Sequence, residues 1–299
     1  MHARARSPAR RGLLVGKTFA GVTLASDEAS YVPGATLQSM AGRPVAEDPV
    51  MSDPCAPLKI QHEEGVDWML FNRPPVNALT LAVIKALIAA LGHSAQDPRT
   101  RVVVLGGKGP HFCAGVDLRE QADAWRNGRT GAAEMGESLY RALLDFPKPL
   151  ICMAHGAVAG AGLSILCCCD LAIAAEGTRV SLPEINVGVL GGVSHLRTVV
   201  SRSLAHYLAL TGQPIDAARL RGTGLFLDIV PADELQQSVA VIARNIAAKH
   251  PEAARYTKRC MRAVEGVGQL DGYLREQALS QELRASGVTD VLVTRFLGR

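Results

Sequence analysis

The chain has 299 residues, 48% of them hydrophobic and 4% aromatic, with a formal net charge of +4. That length and apolar content fit one large α/β domain with appendages and exclude a chain too polar to fold. Much of the positive excess sits in the first seventeen residues, as Arg4, Arg6, Arg10, Arg11 and Lys17 with no acid among them, so no nucleic-acid surface is expected on the folded part.

Residues 1 to about 56 mix Arg, Ala, Gly, Ser and Pro without periodicity and read as a poorly ordered extension. Its Arg-rich, acid-poor opening also has the composition of an organelle transit peptide. The simpler reading is an over-long gene start, with Met51 of "MSDPCAPLKI" as a natural beginning for the folded domain. The cytoplasm is the expected compartment, with organelle targeting by the extension as the alternative.

Order is expected from Leu58. "LKIQHE" and "VDWMLFN" flank "EGV" as a hairpin, and the paired prolines make "RPPVNAL" a loop. Thr80 caps a helix whose stripe is Leu81, Ile84, Leu87, Ile88 and Leu91, ending at Asp97-Pro98. "RVVVLGG" reads as a buried strand, followed by a polar helical stretch with Trp125, Tyr140, Leu139 and Leu143. "PLICMAHGAVAG" reads as one further strand, the run after it as a buried helix, and "LAIAAE" and "RVSLPE" as two more strands. From Ser203 the pattern is mostly helical. Alternating strands and helices suggest βαβ units, and no short internal repeat is apparent.

No apolar run reaches the roughly 18 to 20 residues that cross a bilayer. The longest, Gly156 to Ala175, is broken by Gly160, Gly162 and Asp170, so no membrane partner is expected. Seven cysteines, with Cys167, Cys168 and Cys169 consecutive, make a poor disulfide framework and fit a reducing compartment. No metal is expected at the triplet, because adjacent helical residues point in different directions.

Three loops are candidates for chemistry. "GPHFCAGVDLRE" and "AVAGAGLS" each run from strand to helix, where the first helical amides have no intrahelical partner and carry partial positive charge. Two such ends aimed at one point stabilise a developing oxyanion. In "SLPEINVGVLGG", Glu184 follows a strand and a proline amid apolar residues, where burial would raise its pKa for acid–base work.

Taken in order and spacing, "FNRPPVNAL", "HFCAGVDL", "HGAVAGAGL…CDLAIA" and "LPEINVGVLGG" resemble the enoyl-CoA hydratase/isomerase, or crotonase, family over about residues 58 to 299. The resemblance implies an α/β fold, a crotonase-like spiral of ββα units, with a C-terminal helical trimerisation region. The expected organisation is an extension over 1–56, a spiral core over 57–250 and a helical region over 251–299. The assembly it implies is a homotrimer or hexamer. The substrate it implies is an acyl-CoA thioester, which carries its own coenzyme A, so no separate cofactor is expected.

Matched motif to motif, the family's two oxyanion amides fall on Val116 and Ala161. Acyl-CoA binding falls on Ala114, Gly115, Asp117, Leu118 and Gly162, with Phe296 and Arg299 of the terminal "RFLGR" as further candidates. Hydratases of the family generally bracket a water with two glutamates, whose positions here hold Ser164 and Glu184. Serine is no carboxylate base near neutral pH. The resemblance therefore points to enoyl-CoA isomerisation with a lone glutamate. The alternatives are hydration or another lyase reaction (retro-aldol cleavage, decarboxylation) with Ser164 or His195 as accessory groups, and a non-catalytic acyl-CoA-binding trimer. The dienoyl-isomerase branch needs a further acid where this chain has Gly192. Asp117 and Asp170 are read as structural.

Overall fold

The computed structural model describes residues 56–129, 131–189 and 191–266, with isolated positions beyond. The expected extension lies outside the described residues, Ala56 apart, as do Phe296 and Arg299.

The elements in chain order are β1 (Leu58–Glu63), β2 (Val66–Phe71), α1 (Leu81–Gln96), β3 (Val102–Gly107), α2 (Leu118–Arg126), α3 (Ala133–Leu144), β4 (Leu150–Ala154), β5 (Ala157–Ala159), α4 (Ala161–Cys168), β6 (Leu171–Ala175) and β7 (Arg179–Ser181). A 3₁₀ turn (Pro183–Val187) follows, then α5 (Val193–Val199), α6 (Arg202–Thr211), β8 (Ile215–Asp216), β9 (Asp228–Val230), α7 (Leu235–Ala247) and α8 (Pro251–Val264). β1 and β2 form the expected hairpin, turning at Glu64 and Gly65, and the Thr80 hydroxyl accepts from Val83 N at the start of α1.

The larger sheet has the order β1-β2-β3-β4-β6-β9 and is parallel beyond the hairpin. Period-2 alternation splits its side chains between two cores. Val102, Val104, Ile151 and Ile173 pack with Leu235, Val239 and Ala243 of α7. Val103, Leu105 and Cys152 join the main core with Leu87, Leu143 and Leu163. Both faces are covered, which is why these strands are continuous apolar runs.

The smaller sheet is β5-β7-β8; Cys113 bridges to Val158 of β5, and Leu79 bridges to Val116 on the same loop. A repeating path emerges: a long strand in the large sheet, a short extended segment beside the small one, then a helix. β4, β5 and α4 make one such turn. β6 and β7, followed by the 3₁₀ turn and α5, make the next. The repeat is absent from the sequence because its second strand is only one to three residues long.

One expectation changes. "PLICMAHGAVAG" forms two strands in different sheets, because Gly156 turns the chain at φ +57 and any Cβ there would fall on the Pro110 carbonyl oxygen. The described chain after Ser203 is mostly helical, as expected, with β8 and β9 closing the edges of both sheets. Strands as short as β8 and β9 carry too little pattern to be read in advance, and the three-residue β7 was legible only inside the longer extended run "RVSLPE".

Candidate active site

Backbone contacts bring the first two candidate loops together. Cys113 N donates to Ala157 O (3.1 Å) and Ala159 N donates to Cys113 O (3.0 Å). Gly162 fits only as glycine, because an added Cβ would land on the Cys113 carbonyl oxygen and within 2.9 Å of the Cys113 Cβ. Gly115, at φ +96, faces the other loop, where a Cβ added to it would meet Ala159 O at 3.1 Å and Ala161 N at 3.5 Å. Residues 113 to 117 and 159 to 162 therefore lie in contact.

Most amides of the first loop are already engaged. Ala114 N donates to Val76 O, and Asp117 N to Leu79 O. Among the described residues, Val116 N and Ala161 N have no acceptor. Ala161 is the first residue of α4, where an amide without an intrahelical partner is expected.

Glu184 lies on the 3₁₀ turn. Its carboxylate rests on Gly160, where an added Cβ would come within 2.6 Å of Oε1. Gly160 immediately precedes the Ala161 amide and holds φ +54. Oε2 is buried without a hydrogen-bond partner among the described residues. Burial pushes the carboxyl above the usual glutamate range, opposed by a backbone hydrogen bond. Beside it opens a cleft of about 630 Å³ walled by Leu182, Ile185, Val189 and Val193.

Ser164 is 1% exposed, one turn along α4 from Ala161. Its Oγ donates to Gly160 O over 3.4 Å. A Cβ on Gly192 would come within 2.7 Å of Ser164 Oγ and of Leu182 Cδ1, so no acid fits there without displacing them. The Tyr140 and His195 rings lie against each other, 4.4 Å between centroids. His195 Nδ1 faces Cys168 Sγ at 3.6 Å, while burial pushes that thiol up to about 12. Sequence reading put His195 near the site. In the fold its ring is held between Tyr140 and Cys168.

Asp117 holds the loop. It caps α2, accepting from Arg119 N (3.0 Å) and Glu120 N (3.1 Å), and pairs with Arg73 at 2.7 Å. Those amides, with Arg73, hold its carboxyl below the usual range. Asp117→Ala is expected to lower stability by about 1 to 2 kcal/mol through the lost cap, read as a lower melting temperature. An unchanged melt would show that the cap contributes nothing.

Leu118, 55% exposed, starts α2, and Ala114 is partly buried on the loop. Asp170 accepts from Leu150 N and pairs with Lys258 at 2.7 Å, a structural tie between β4 and α8. The three adjacent cysteines diverge: Cys168 is buried toward His195, and Cys169 is directed to Ile165 O. Sequence reading missed two contacts, Tyr140 on His195 and Arg73 on Asp117. Neither had a local signal, since both join residues more than twenty positions apart.

The family model for enoyl-CoA hydratase/isomerase matches residues 61–285. A 2,3-dehydroadipyl-CoA hydratase of Escherichia coli is 31% identical over 247 residues, covering 80% of this chain and 95% of that protein. A (7aS)-7a-methyl-1,5-dioxo-2,3,5,6,7,7a-hexahydro-1H-indene-carboxyl-CoA hydrolase of Rhodococcus jostii is 29% identical, covering 76% and 88%. Among solved structures, an enoyl-CoA hydratase/isomerase family protein from Silicibacter pomeroyi superposes with a TM-score of 0.70 at 30% identity, covering 75% of this chain and 97% of that one.

Proposed function

The chain belongs to the enoyl-CoA hydratase/isomerase family, and on that premise we propose that it isomerises enoyl-CoA thioesters with Glu184 as its one acid–base group. The observation that carries this reading is the half-buried Glu184 carboxyl, set against Gly160 beside an amide without an acceptor, while Ser164 offers no second acid.

In the proposed reaction the thioester carbonyl of a 3-enoyl-CoA accepts from Val116 N and Ala161 N. Glu184 takes a proton from the carbon next to the carbonyl, and the electrons of that C–H bond move onto the carbonyl oxygen to give an extended enolate. Each well-aimed donor lowers the barrier by about 2.7 to 4 kcal/mol. The enolate then collapses. Its terminal carbon takes the proton back from Glu184, the carbonyl re-forms, and the double bond ends conjugated to it. One proton is moved and none is consumed, so a single carboxyl suffices. Coenzyme A arrives with the substrate, and no further cofactor enters the scheme. CoA contacts are assigned to the backbone from Ala114 to Leu118.

A second reading, hydration or hydrolysis, is favoured by the names of the relatives. Turnover in heavy water separates the two. The expected result is conversion of 3-enoyl-CoA to its conjugated isomer, with no hydrated product from 2-enoyl-CoA. Water addition to 2-enoyl-CoA would overturn the isomerase reading and establish the second.

The proposed assembly is a homotrimer or a hexamer, in the cytoplasm. Ile185, Val193 and Leu210 support an oligomer, being large, exposed and gathered at the cleft beside Glu184. A single-chain mass by light scattering would refute it. No helix among the described residues is long and apolar enough to cross a membrane.

A further inference from the structure

We propose that the cleft beside Glu184 takes an acyl chain that ends in a carboxylate, with Arg197 and Arg202 as the residues that recognise it. The inference rests on the reading of Glu184 and the two amides given above, and it adds the substrate class.

The cleft has an apolar end and a basic end, and the same two helices build both. α5 leaves the Glu184 turn: a Cβ on Gly191 would lie 3.5 Å from Glu184 Cγ, and one on Gly192 would meet Ser164 Oγ. From there α5 follows α4 away from Ala161, since His195 reaches Cys168 at the other end of α4. Val193 opens α5, and Arg197 follows one turn later on the same face, about 6 Å further along the axis. α6 returns to the turn. It ends at Gly212, where a Cβ would fall 2.8 Å from Asn186 Nδ2 and 3.1 Å from Ile185 Cγ2, next to Glu184 in the chain. Counting back from that end, Leu210, His206 and Arg202 follow one another a turn apart on one face, which sets Arg202 about 12 Å from Leu210. Both helices therefore present an apolar side chain near Glu184 and an arginine further out, and all of these line the one cleft.

The charges at the outer end are unspent. Among the described residues that line the cleft, Glu184 is the one acid, against Arg197, Arg202 and His206. Arg73, Arg141, Arg244, Arg255 and Arg259 each pair with a carboxylate of this chain. Arg197 and Arg202 have no such partner among the described residues. A guanidinium is weakly hydrated for a cation, and its planar fork matches a carboxylate. An exposed pair of this kind contributes little by itself. Here the guest carboxylate is tethered to a thioester already held at the amides, so the second contact is intramolecular. A plain aliphatic end at the same place strips water from the arginines and returns no hydrogen bond. The outer position also keeps the guest charge away from the Glu184 carboxylate.

Coenzyme A is the other source of anions in the ligand. Its contacts are assigned above to the loop from Ala114 to Leu118, which supplies no lining residue to this cleft. The apolar end opens directly at the acid–base group, where the acyl chain must pass.

Binding is measured in the Glu184→Gln protein, so that no ligand turns over and the result does not depend on proton transfer. The probes are paired by length: hexanoyl-CoA with hexanedioyl-CoA, octanoyl-CoA with octanedioyl-CoA, and decanoyl-CoA with decanedioyl-CoA, titrated by calorimetry. In at least one pair the diacid is expected to bind about 10-fold tighter. Adding Arg197→Gln together with Arg202→Gln removes that preference and leaves the affinity of the monoacid unchanged. Both positions are exposed, so the variant is expected to fold. Equal affinities in all three pairs overturn the proposal, and a lower light-scattering mass of the arginine variant would then make the cleft a subunit contact. A loss that falls equally on both members of a pair overturns it too, and assigns the arginines to the phosphates of coenzyme A. So does a diacid preference that survives both substitutions. Failure of the Glu184 reading shows separately, as deuterium exchange next to the thioester carbonyl that survives Glu184→Gln.

Discussion

Glu184→Gln is expected to lower turnover by about 100- to 10,000-fold, the range supplied by a positioned acid–base group, while the acyl-CoA ligand still binds. Glutamine keeps the shape and cannot carry the proton between carbons. The pH profile adds an independent check. Glu184 acts first as a base, so its working form is the carboxylate. Its pKa is raised by burial, so the rate climbs with pH through a value above the ordinary glutamate range. That acid limb vanishes in the variant. Folding is not the confounder. A raised pKa means that the folded state holds the proton more tightly than the unfolded chain, so stability falls as pH rises through the folded pKa. At neutral pH the amide, which has no charge to desolvate, is expected to melt no lower than the parent. Retention of activity within a few-fold would remove Glu184 from the mechanism.

Gly162→Ala is the second large effect. The new methyl would fall on the Cys113 carbonyl oxygen and within 2.9 Å of the Cys113 Cβ. That carbonyl cannot withdraw freely, because it accepts from Ala159 N at 3.0 Å while Cys113 N donates to Ala157 O. The loops must separate, which costs about 1 to 3 kcal/mol for an overpacked site. Separation also moves Val116 N relative to Ala161 N. Loss of one aligned donor lowers the rate by about 100- to 1000-fold. Gly92→Ala is the control. It sits in α1 with nothing within 4 Å of the new Cβ, and it is expected to stabilise the helix by about 1 kcal/mol without touching the rate. A Gly162→Ala protein that melts and turns over like the parent would show that the loop contact does not set the amides.

How much was legible differs from element to element. β3 was readable because Val102 to Leu105 is buried on both faces and so is apolar throughout. α1 was readable because Thr80 and Asp97 bound a stripe of helical period. β8 and β9 were not, since segments of two or three residues have no period to detect, and β5 and β7 were legible only as parts of longer extended runs. Glu184 was legible as an acid out of place in an apolar run. Its partners were not, because Gly160 lies 24 positions away and the contact is made by a missing side chain rather than by a present one.

The chemical parts are written locally along the chain: one carboxyl in an apolar turn, a serine where a second acid would stand, two glycine-rich loops at helix starts, and an aspartate suited to capping. Residue type and neighbours within a few positions are enough to define each of them. Which parts meet is a property of the folded chain alone. Folding sets the Glu184 carboxyl on Gly160, closes the Gly115 and Gly162 loops on each other, and brings Tyr140 against His195. Such contacts depend on the register of strands and the packing of helices far apart in the chain. One backbone approach tolerates only glycine and the next accepts any residue, and that difference exists only once the second segment is in place.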